Sequence, residues 1–464
     1  MTVGLLEKES TGGSIARVGF EYQDAYVLQN LPRWLSQSAF SHVVSEAVGD
    51  VEVCYFGRTG GVRRLMVEAK NHELTATGFW EEIDRFKRVH EASEQEFARF
   101  VLVCRSYNSK TSPFIAKLGR LRGVGSSYQP DSVVLQRDQQ EVIAWAAKHG
   151  ASEELANFAF QLVDFETYAD ESADAAFPGE IAQHLPTIDL RGRQATRLRD
   201  LFKRRIAQSS SGPVYRKQLE LDLCEVLAED RGDWLESPIR IHLHSRELTL
   251  SQLTLPADGL VGPARSGKVA ADWQGLSVAA HEVAEFIGQC TDRRTVTLDG
   301  RQGMSAACLL GHAFRATSRF TLHVEHNGAV YCTNVYDQAE GPFFKVTALG
   351  DGATAKQGVV TIAFTTQVGA DLGQGVSGSV GLPTLILDSG RAVASQTEMN
   401  LAVAEAKTAL VRFRSELRLE VIHLFIKGPS AFSMLLGHRL NGICKVQLYD
   451  WIDGAYRATA ILDA

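Results

Sequence analysis

The chain has 464 residues, a length that favours two or three domains over a single hydrophobic core. Hydrophobic residues make up 45% and charged residues 22% of it, as in soluble globular proteins, and no apolar run is long enough for a membrane span. The net charge of −7 argues against constitutive, avid coating of nucleic acid, so any DNA contact must come from local basic patches or be switched on.

The N-terminus and the cysteines both favour a cytoplasmic protein. The first residues include the early Glu7 and no apolar core, so we expect no secretory signal. The seven cysteines are scattered, form no CxxC pair and mostly lie in apolar runs. We therefore expect them to be reduced and buried.

The first hundred residues predict a helix, a hairpin, a helix and a strand. A mixed apolar face favours a helix over residues 15–37, with a break at Pro32. We then predict a strand over 42–56, a turn at 57–61, a return strand over 63–70, a helix over 78–98 and a buried strand over 99–106. The predicted order is helix, strand, strand, helix, strand.

Residues 135–235 predict mostly helices, and from about residue 236 apolar strands alternate with helices, which indicates α/β structure. The helical part carries a basic run, made of Arg191, Arg193, Arg197, Arg199, Lys203, Arg204 and Arg205. This run is either a solvated helix face or a DNA-contacting surface, and the sequence favours neither.

The second half contains an internal repeat. Gly311 and Gly437, which are 126 residues apart, lie in the similar segments CLLGHAF and SMLLGHRL. At the same offset His312 matches His438, and further matches continue into the following hairpin as far as Thr333 and Thr459. One helix-and-hairpin unit therefore occurs twice, which predicts two similar α/β lobes that face each other.

Asp50, Glu68 and Lys70 form the pattern with the clearest chemistry. Glu68 and Lys70 are two residues apart on a predicted strand and share a face, and the hairpin can bring Asp50 beside them. Two carboxylates suit Mg²⁺, and Lys70 can position a water or stabilise developing negative charge. Glu21 could add a contact to the metal or its ligands. The alternative is a surface salt bridge between Glu68 and Lys70.

This D-x(17)-E-A-K pattern resembles the PD-(D/E)xK nuclease superfamily. The segment GFEYQDAYVLQNL, residues 19–31, with GDVEV and VEAK, resembles the endonuclease domain of bacterial anti-phage CBASS effectors. Residues 419–451, with LFIKGPSA and LLGHRL, resemble a SAVED domain, which is similar to two fused CARF-like lobes. The implied fold class is α/β, with a PD-(D/E)xK-like nuclease domain followed by a SAVED domain of two fused CARF-like lobes.

The resemblance implies an order of domains and a mechanism. We expect the nuclease domain with a helical extension over 1–210, a connecting segment over 211–235 and the SAVED domain over 236–464. A cyclic oligonucleotide, often a cyclic trinucleotide, would bind the SAVED domain and drive homo-oligomerisation. The nuclease domains would then cut double-stranded DNA with little sequence preference. Asp50, Glu68 and Lys70 match the catalytic set, with Asp50 and Glu68 as metal ligands.

Ligand contacts are expected in loops that follow strand ends, where open α/β sheets bind ligands. Lys427 and Gly428 open a helix whose N-terminus could meet a phosphate, and Trp273 could stack on a base. The remaining candidates are Ser245, Arg246, Thr366 and Gln367. For each residue the alternative is ordinary loop solvation.

The stretch GPARSGK, residues 262–268, approaches a P-loop, but Val269 stands where Ser or Thr should hold Mg²⁺. We expect a loop there, in which Arg265 and Lys268 remain able to meet phosphate. For the whole chain, the alternative function is a nucleotide-sensing module whose N-terminal domain binds DNA or protein without cleaving it.

Overall fold

The structure, a computed structural model, divides into two compact units, Met1–Trp234 and Leu235–Ala464. It describes residues 3–125, 132–169, 173–208, 212–244, 249–257, 259–260, 263–299, 302–333, 341–350, 355–365 and 381–463. Among the helices of these ranges, none is long and apolar enough to cross a membrane.

The first unit is built on a six-stranded mixed sheet with the strand order β5-β4-β3-β2-β1-β6. Strands β3, β4 and β5 are parallel, whereas β1, β2 and β3 are joined as antiparallel neighbours. Its elements are α1 (Val3–Ser36), β1 (Phe40–Ser45), β2 (Val51–Phe56), β3 (Val62–Leu74), α2 (Ala76–Ala92), β4 (Phe97–Tyr107), α3 (Ser112–Gly125), α4 (Val133–Lys148), α5 (Glu153–Leu162), β5 (Val163–Thr167), α6 (Ala173–His184), α7 (Gly192–Ala207), β6 (Val214–Tyr215), α8 (Arg216–Leu227) and α9 (Arg231–Glu236).

The hairpin of β2 and β3 is confirmed, but the single strand predicted over 42–56 is wrong. A turn separates β1 from β2, because Glu46 has a positive φ of 61° and its N–H donates to the Asp50 carbonyl at 3.0 Å. Gly49 belongs to this turn, and a Cβ there would lie 2.8 Å from the Met66 side chain. The turn leaves Asp50 directly before β2.

Helix α1 runs through Pro32, so the predicted break at this residue is wrong. A proline removes one helical hydrogen bond. Burial of Trp34 and Leu35 beyond it, together with Leu28 and Leu31 before it, keeps both sides of the proline packed on the core. Helix stability here comes from tertiary packing of the apolar face, which a local signal does not register.

Residues 212–234 are part of the first unit. Strand β6 pairs with β1, and Arg216 at the start of α8 is buried. Its guanidinium pairs with Glu220 at 2.8 Å and donates to backbone carbonyls at the end of α1, including that of Gln37 at 2.9 Å. The segment expected to connect two domains thus contributes, as far as it is described, to the sheet and core of the first one.

Helix α7 carries the basic run, and several of its charges are neutralised within the unit. Arg197 pairs with Glu225 at 2.5 Å, Arg205 with Asp222 at 2.9 Å, and Lys203 and Arg199 both reach Asp174. Buried residues of α7 alternate with these cations at helical spacing, at Ala195, Leu198, Phe202 and Ile206. Of the two interpretations of the run, these ion pairs favour a charged face that binds neighbouring helices.

The second unit contains two sheets, with the strand orders β11-β10-β9-β7-β8 and β12-β14-β13-β15-β16-β17. We call the parts built on them the first lobe and the second lobe. The elements are β7 (Ile239–His244), β8 (Leu253–Pro256), α10 (Ala270–Cys290), β9 (Thr295–Asp299), α11 (Met304–Ala313), β10 (Thr321–His326), β11 (Ala329–Cys332), β12 (Lys345–Leu349), β13 (Gln357–Ala363), β14 (Thr384–Asp388), α12 (Gln396–Leu417), β15 (Val421–Lys427), α13 (Ser430–Arg439), β16 (Lys445–Ile452) and β17 (Ala455–Asp463).

The internal repeat is confirmed and extends further than the sequence showed. At the offset of 126 residues, α10 matches α12, β9 matches β15, α11 matches α13, and the hairpin β10–β11 matches β16–β17. Equivalent threonines hydrogen-bond to equivalent leucines, with the hydroxyl in opposite roles: the Thr333 hydroxyl accepts from the Leu322 N–H at 2.8 Å, and the Thr459 hydroxyl donates to the Leu448 carbonyl at 3.1 Å.

The two lobes meet where the repeated helices α11 and α13 cross. A Cβ at Gly311 would overlap the Met434 carbonyl oxygen, and a Cβ at Gly437 would overlap the carbonyl oxygen of Cys308. Cys308 and Met434 are themselves 126 residues apart, so the contact is reciprocal, as across a two-fold axis. Only glycine lets the two backbones approach this closely.

Candidate functional site

The nuclease-like residues lie where β2 and β3 pair. Register places Val51 opposite Val67, so Asp50 falls beside Glu68, and its Oδ2 accepts the N–H of Ala69 at 2.7 Å. Glu68 and Lys70 share the face of β3 that α2 covers, as strand alternation requires. The structure thus brings Asp50, Glu68 and Lys70 together, as predicted.

Helix α2 adds two charged side chains that complete a network around Glu68. Lys70 Nζ lies 2.8 Å from Glu68 Oε1 and 2.8 Å from Glu82 Oε1. Arg85 Nη1 lies 2.6 Å from Glu68 Oε2 and 3.4 Å from Glu82 Oε2. We call these four residues the charge network. Glu68 is only 4% exposed, so its bond to Lys70 is not the surface salt bridge that formed the alternative.

Burial and neighbouring charges shift the titration of this site. Burial and then the Glu68 carboxylate raise the pKa of Asp50 to about 6, against the opposing effects of the Ala69 N–H and Lys70. Burial disfavours the charged form of Lys70, but its hydrogen bonds to Glu68 and Glu82 and the negative charges of these two carboxylates together outweigh burial and raise its pKa. Lys70 is therefore a cation at neutral pH.

The arrangement fits a divalent cation. Glu68 Oε2 is buried and has no partner in hydrogen-bond geometry, although the Arg85 guanidinium lies close to it. A buried carboxylate oxygen of this kind is costly unless a cation compensates it. Within the described part of the chain, no three His, Cys, Asp or Glu side chains are arranged to hold a metal. Two carboxylates completed by water oxygens would suffice, as Mg²⁺ usually keeps several waters.

Glu21 stands at one end of a row of carboxylates. It is exposed on α1 and lines a cavity of about 440 Å³ with Asp24, Asp174 and Lys203. Burial, Glu46 and Glu21 all raise the pKa of Asp24, and Glu46 also raises that of Asp50. Negative charge thus continues from Glu21 to Asp50. A metal contact for Glu21 stays a prediction.

The second unit has a cavity of about 610 Å³ where the two lobes meet. It is lined in the first lobe by Gln302, Gly303 and Met304, from the loop after β9 and the start of α11, and in the second lobe by Ile426, Lys427 and Gly428, from the end of β15 and the loop after it. These loops follow β9 and β15, so the cavity lies at the carboxyl ends of strands, as open α/β sheets favour. Arg265, Asp450, Trp451 and Tyr456 complete the lining.

Asp450 and Arg265 form a charged pair in this cavity. Arg265 Nη1 donates to Asp450 Oδ2 at 2.6 Å, and a Cβ at Gly303 would lie 2.7 Å from both atoms. Burial raises the pKa of Asp450, whereas Arg265 and the N–H groups of Met304 and Ser305 oppose this. The carboxylate therefore occupies the N-terminus of α11, and the absence of a side chain at Gly303 makes room for the pair.

Only some of the predicted ligand residues lie at the cavity. Lys427 and Gly428 line the cavity, although Gly428 also makes room for Phe364, whose ring a Cβ would overlap. Ser245, Arg246, Thr366 and Gln367 lie outside the described residues. We correct the expectation for Trp273, because it is 1% exposed in the core of α10 and presents no face for stacking.

Several residues of both sites escaped sequence reasoning. Glu82 and Arg85 are one turn apart on α2, but their meeting with Glu68 depends on how that helix packs over the sheet. Arg265 lies in the stretch that approaches a P-loop, where the sequence already indicates phosphate chemistry, but its pairing with Asp450 across the cavity leaves no signal there. Asp450 and Trp451 lie on β16, after the repeated helix α13. Trp451 is 41% exposed, whereas Trp273, the tryptophan that the sequence suggested for stacking, is buried.

Comparison with known proteins identifies both parts of the chain. Residues 11–210 match the family model of the Cap4 dsDNA endonuclease domain. Residues 279–462 match the model of the SAVED domain, a sensor domain described as SMODS-associated and fused to various effectors. The first match contains Asp50, Glu68 and Lys70, and the second contains the crossing helices and most of the cavity lining.

Full-length relatives agree. CD-NTase-associated protein 4 of Moraxella osloensis is 49% identical over 463 residues, covering 100% of both chains. Among solved structures, the Cap4 SAVED/CARF-domain containing receptor of Acinetobacter baumannii with the cyclic trinucleotide 2'3'3'-cAAA matches with a TM-score of 0.88. It is 44% identical, and the match covers 96% of this chain and 99% of that one. The receptor of Moraxella osloensis gives a TM-score of 0.85 at 45% identity, covering 96% and 100%.

Because the sequence identity is this high and extends over the whole length, the similarity is neither confined to one domain nor limited to the fold. The N-terminal domain is a DNA endonuclease domain and the C-terminal one a SAVED sensor domain, which confirms the α/β fold class and the family resemblance. The chain belongs to the Cap4 family of CD-NTase-associated proteins.

Proposed function

We propose that this chain is a cytoplasmic anti-phage effector whose SAVED domain binds a cyclic trinucleotide and thereby switches on Mg²⁺-dependent cleavage of double-stranded DNA. Ligand-induced homo-oligomerisation links the two events, and cleavage has little sequence preference. The observation that carries the nuclease half is the buried Glu68 carboxylate beside Asp50, whose Oε1 bonds the cationic Lys70 while its Oε2 lies close to Arg85 without a partner in hydrogen-bond geometry.

Each nuclease residue has a role that follows from its surroundings. A divalent cation, when bound, supplies positive charge that offsets the charge of the scissile phosphate. Asp50 and Glu68 would hold it through their carboxylate oxygens. Lys70 keeps its proton because two carboxylates raise its pKa, so it acts as a hydrogen-bond donor to developing negative charge and not as a base.

The ligand half is supported by the cavity in the second unit. Solved structures of the Acinetobacter baumannii relative contain the cyclic trinucleotides 2'3'3'-cAAA and 3'3'3'-cAAA. In this chain Lys427 and the N-terminus of α13 offer positive charge for a phosphate, and Trp451 offers an exposed aromatic ring for a base. The positive charge and the aromatic ring thus lie in one cavity, at the carboxyl ends of the strands.

Replacement of Lys70 tests the nuclease assignment. With plasmid DNA, Mg²⁺ and cyclic triadenylate, we expect Lys70→Ala to lower the cleavage rate by about 100-fold or more, because a preorganised donor to the transition state is lost. Lys117 of α3, which pairs with Glu141, provides the matched control, and Lys117→Ala should cut at close to the wild-type rate. A Lys70→Ala protein that cleaves as fast as the control would refute the assignment.

A further inference from the structure

We propose that Arg85 is a cationic place-holder for the metal. Its guanidinium occupies one oxygen of Glu68 in the metal-free site and withdraws to Glu82 when a divalent cation binds. Arg85 is thus a positioning residue that keeps Glu68 oriented and lowers the affinity of the site for metal. The inference rests on the proposed metal site at Asp50 and Glu68.

The contacts of Arg85 connect three parts of the site. Its Nη1 lies 2.6 Å from Glu68 Oε2, and its Nη2 donates to the Val48 carbonyl at 2.8 Å. Val48 belongs to the turn that carries Asp50, and the Val48 N–H is held at 2.7 Å by the buried Glu52. Arg85 therefore fixes Glu68 and the turn of Asp50 relative to each other without touching Asp50.

The two oxygens of Glu68 are divided between two cations. Lys70 hydrogen-bonds to Oε1, whereas Arg85 approaches Oε2 without hydrogen-bond geometry. The Arg85 contact is accordingly a charge contact that a better-placed cation can replace. A guanidinium and a divalent cation on one carboxylate oxygen would repel each other, so binding of the metal requires Arg85 to leave. Lys70 can remain.

Arg85 has a second carboxylate ready when it leaves Glu68. Glu82 lies three residues earlier on α2, and its Oε2 is already 3.4 Å from Arg85 Nη1. The Arg85 side chain is 36% exposed, so its withdrawal strands no buried charge. Glu68 differs, because its buried Oε2, which Lys70 does not contact, needs a cation nearby in both states, first Arg85 and then the metal.

Metal binding measured without DNA tests this role directly. In isothermal titration of Mg²⁺ or Mn²⁺ into the full chain, we expect Arg85→Gln to bind the metal about tenfold more tightly than the wild type. The reason is that a cation this close to a carboxylate shifts the equilibria by which that carboxylate binds protons or other cations by one or more logarithmic units. The matched control is Arg88→Gln, on the same helix. Arg88 pairs only with Asp84 among the ion pairs of the described residues and is 70% exposed, so its removal should leave metal affinity unchanged.

Thermal unfolding gives a second readout that does not depend on activity. In a chelator, Arg85→Gln should melt below Arg88→Gln, because the buried Glu68 has lost a cation. In saturating Mg²⁺ this difference should shrink, since the metal supplies the missing charge. Arg85→Gln with metal affinity equal to or weaker than that of the control overturns the place-holder role.

Asp50→Asn separates this inference from the site on which it rests. If Asp50→Asn loses metal binding while Arg85→Gln binds like wild type, only the place-holder role fails. If Asp50→Asn binds metal as wild type does, the metal site fails, and the place-holder role fails with it.

Discussion

At the scale of single residues, the site is defined by neighbouring carboxylates whose ionised forms repel each other unless a cation is present. Asp50 is half-buried beside Glu68, with Glu46 nearby, and its pKa is raised to about 6. Its charged form is therefore disfavoured in the metal-free fold. Protonation of Asp50 near pH 6 favours the folded metal-free protein, whereas binding of a metal needs the ionised form.

This shift predicts a pH-dependent metal affinity. As the pH falls through about 6, Asp50 takes up a proton, so the affinity for Mg²⁺ should decline and each binding event should release a proton. Titration calorimetry between about pH 5 and 8, in buffers of different ionisation enthalpy, measures both effects. An affinity that stays constant across this range would contradict the assignment of Asp50 as a ligand.

The sequence predicts those parts of the site that depend on contacts between residues close along the chain. Glu68 and Lys70 share a strand face, and a hairpin with a short turn returns them to Asp50, so their meeting follows from local rules. Arg85 joins them from a helix, and the register of α2 over the sheet depends on the packing of Phe79, Ile83 and Phe86. Such packing leaves no local pattern in the sequence.

At the scale of elements, tertiary contacts override two local signals. Helix α1 continues past Pro32 because apolar residues on both sides of it are buried. The strand predicted over 42–56 is divided because Glu46 adopts a positive φ and Gly49 packs against Met66. Periodicity identified the strands on either side, but no apolar or polar alternation marks a turn within an otherwise continuous strand pattern.

The crossing of α11 and α13 gives the clearest prediction at this scale. Gly311→Ala places a methyl group inside the van der Waals surface of the Met434 carbonyl, so the helices must separate. We expect a loss of at least about 2 kcal/mol in the free energy of unfolding and a lower Tm by calorimetry.

Gly275 of α10 is the matched control for this change, because a Cβ there meets no atom within 4 Å. Gly275→Ala should raise the stability by about 0.5–1 kcal/mol, since alanine has the higher helix propensity. Equal stability of the two variants would mean that the reciprocal crossing does not hold the lobes together.

At the scale of the whole molecule, one duplication explains the sensor domain. Two copies of a strand-helix-hairpin unit cross at their helices, and the loops that follow β9 and β15 then meet at one cavity. The sequence revealed the repeat through its glycines and histidines. It did not reveal that the first lobe contributes Gln302 and Gly303, because these residues share no identity with Gly428 and Pro429 at the same offset.

The charge of the chain bears on how cleavage of the cell's own DNA is avoided. The net charge of −7 weakens non-specific attraction to DNA, and the ion pairs along α7 remove part of its local positive charge. In the function proposed above, dependence on a ligand at the sensor domain would be the main restraint on that cleavage. The central claim is therefore that cleavage requires the metal and the cyclic trinucleotide together.

The most direct measurement is plasmid cleavage by the full chain with Mg²⁺ and cyclic triadenylate, each added alone and both together. We expect cutting only when both are present. Because Lys427 lines the cavity, we also expect Lys427→Ala, which removes its proposed charged contact with a ligand phosphate, to need about tenfold more ligand for the same rate. Cleavage that proceeds equally well with Mg²⁺ alone, or intact plasmid under every condition, would contradict the account.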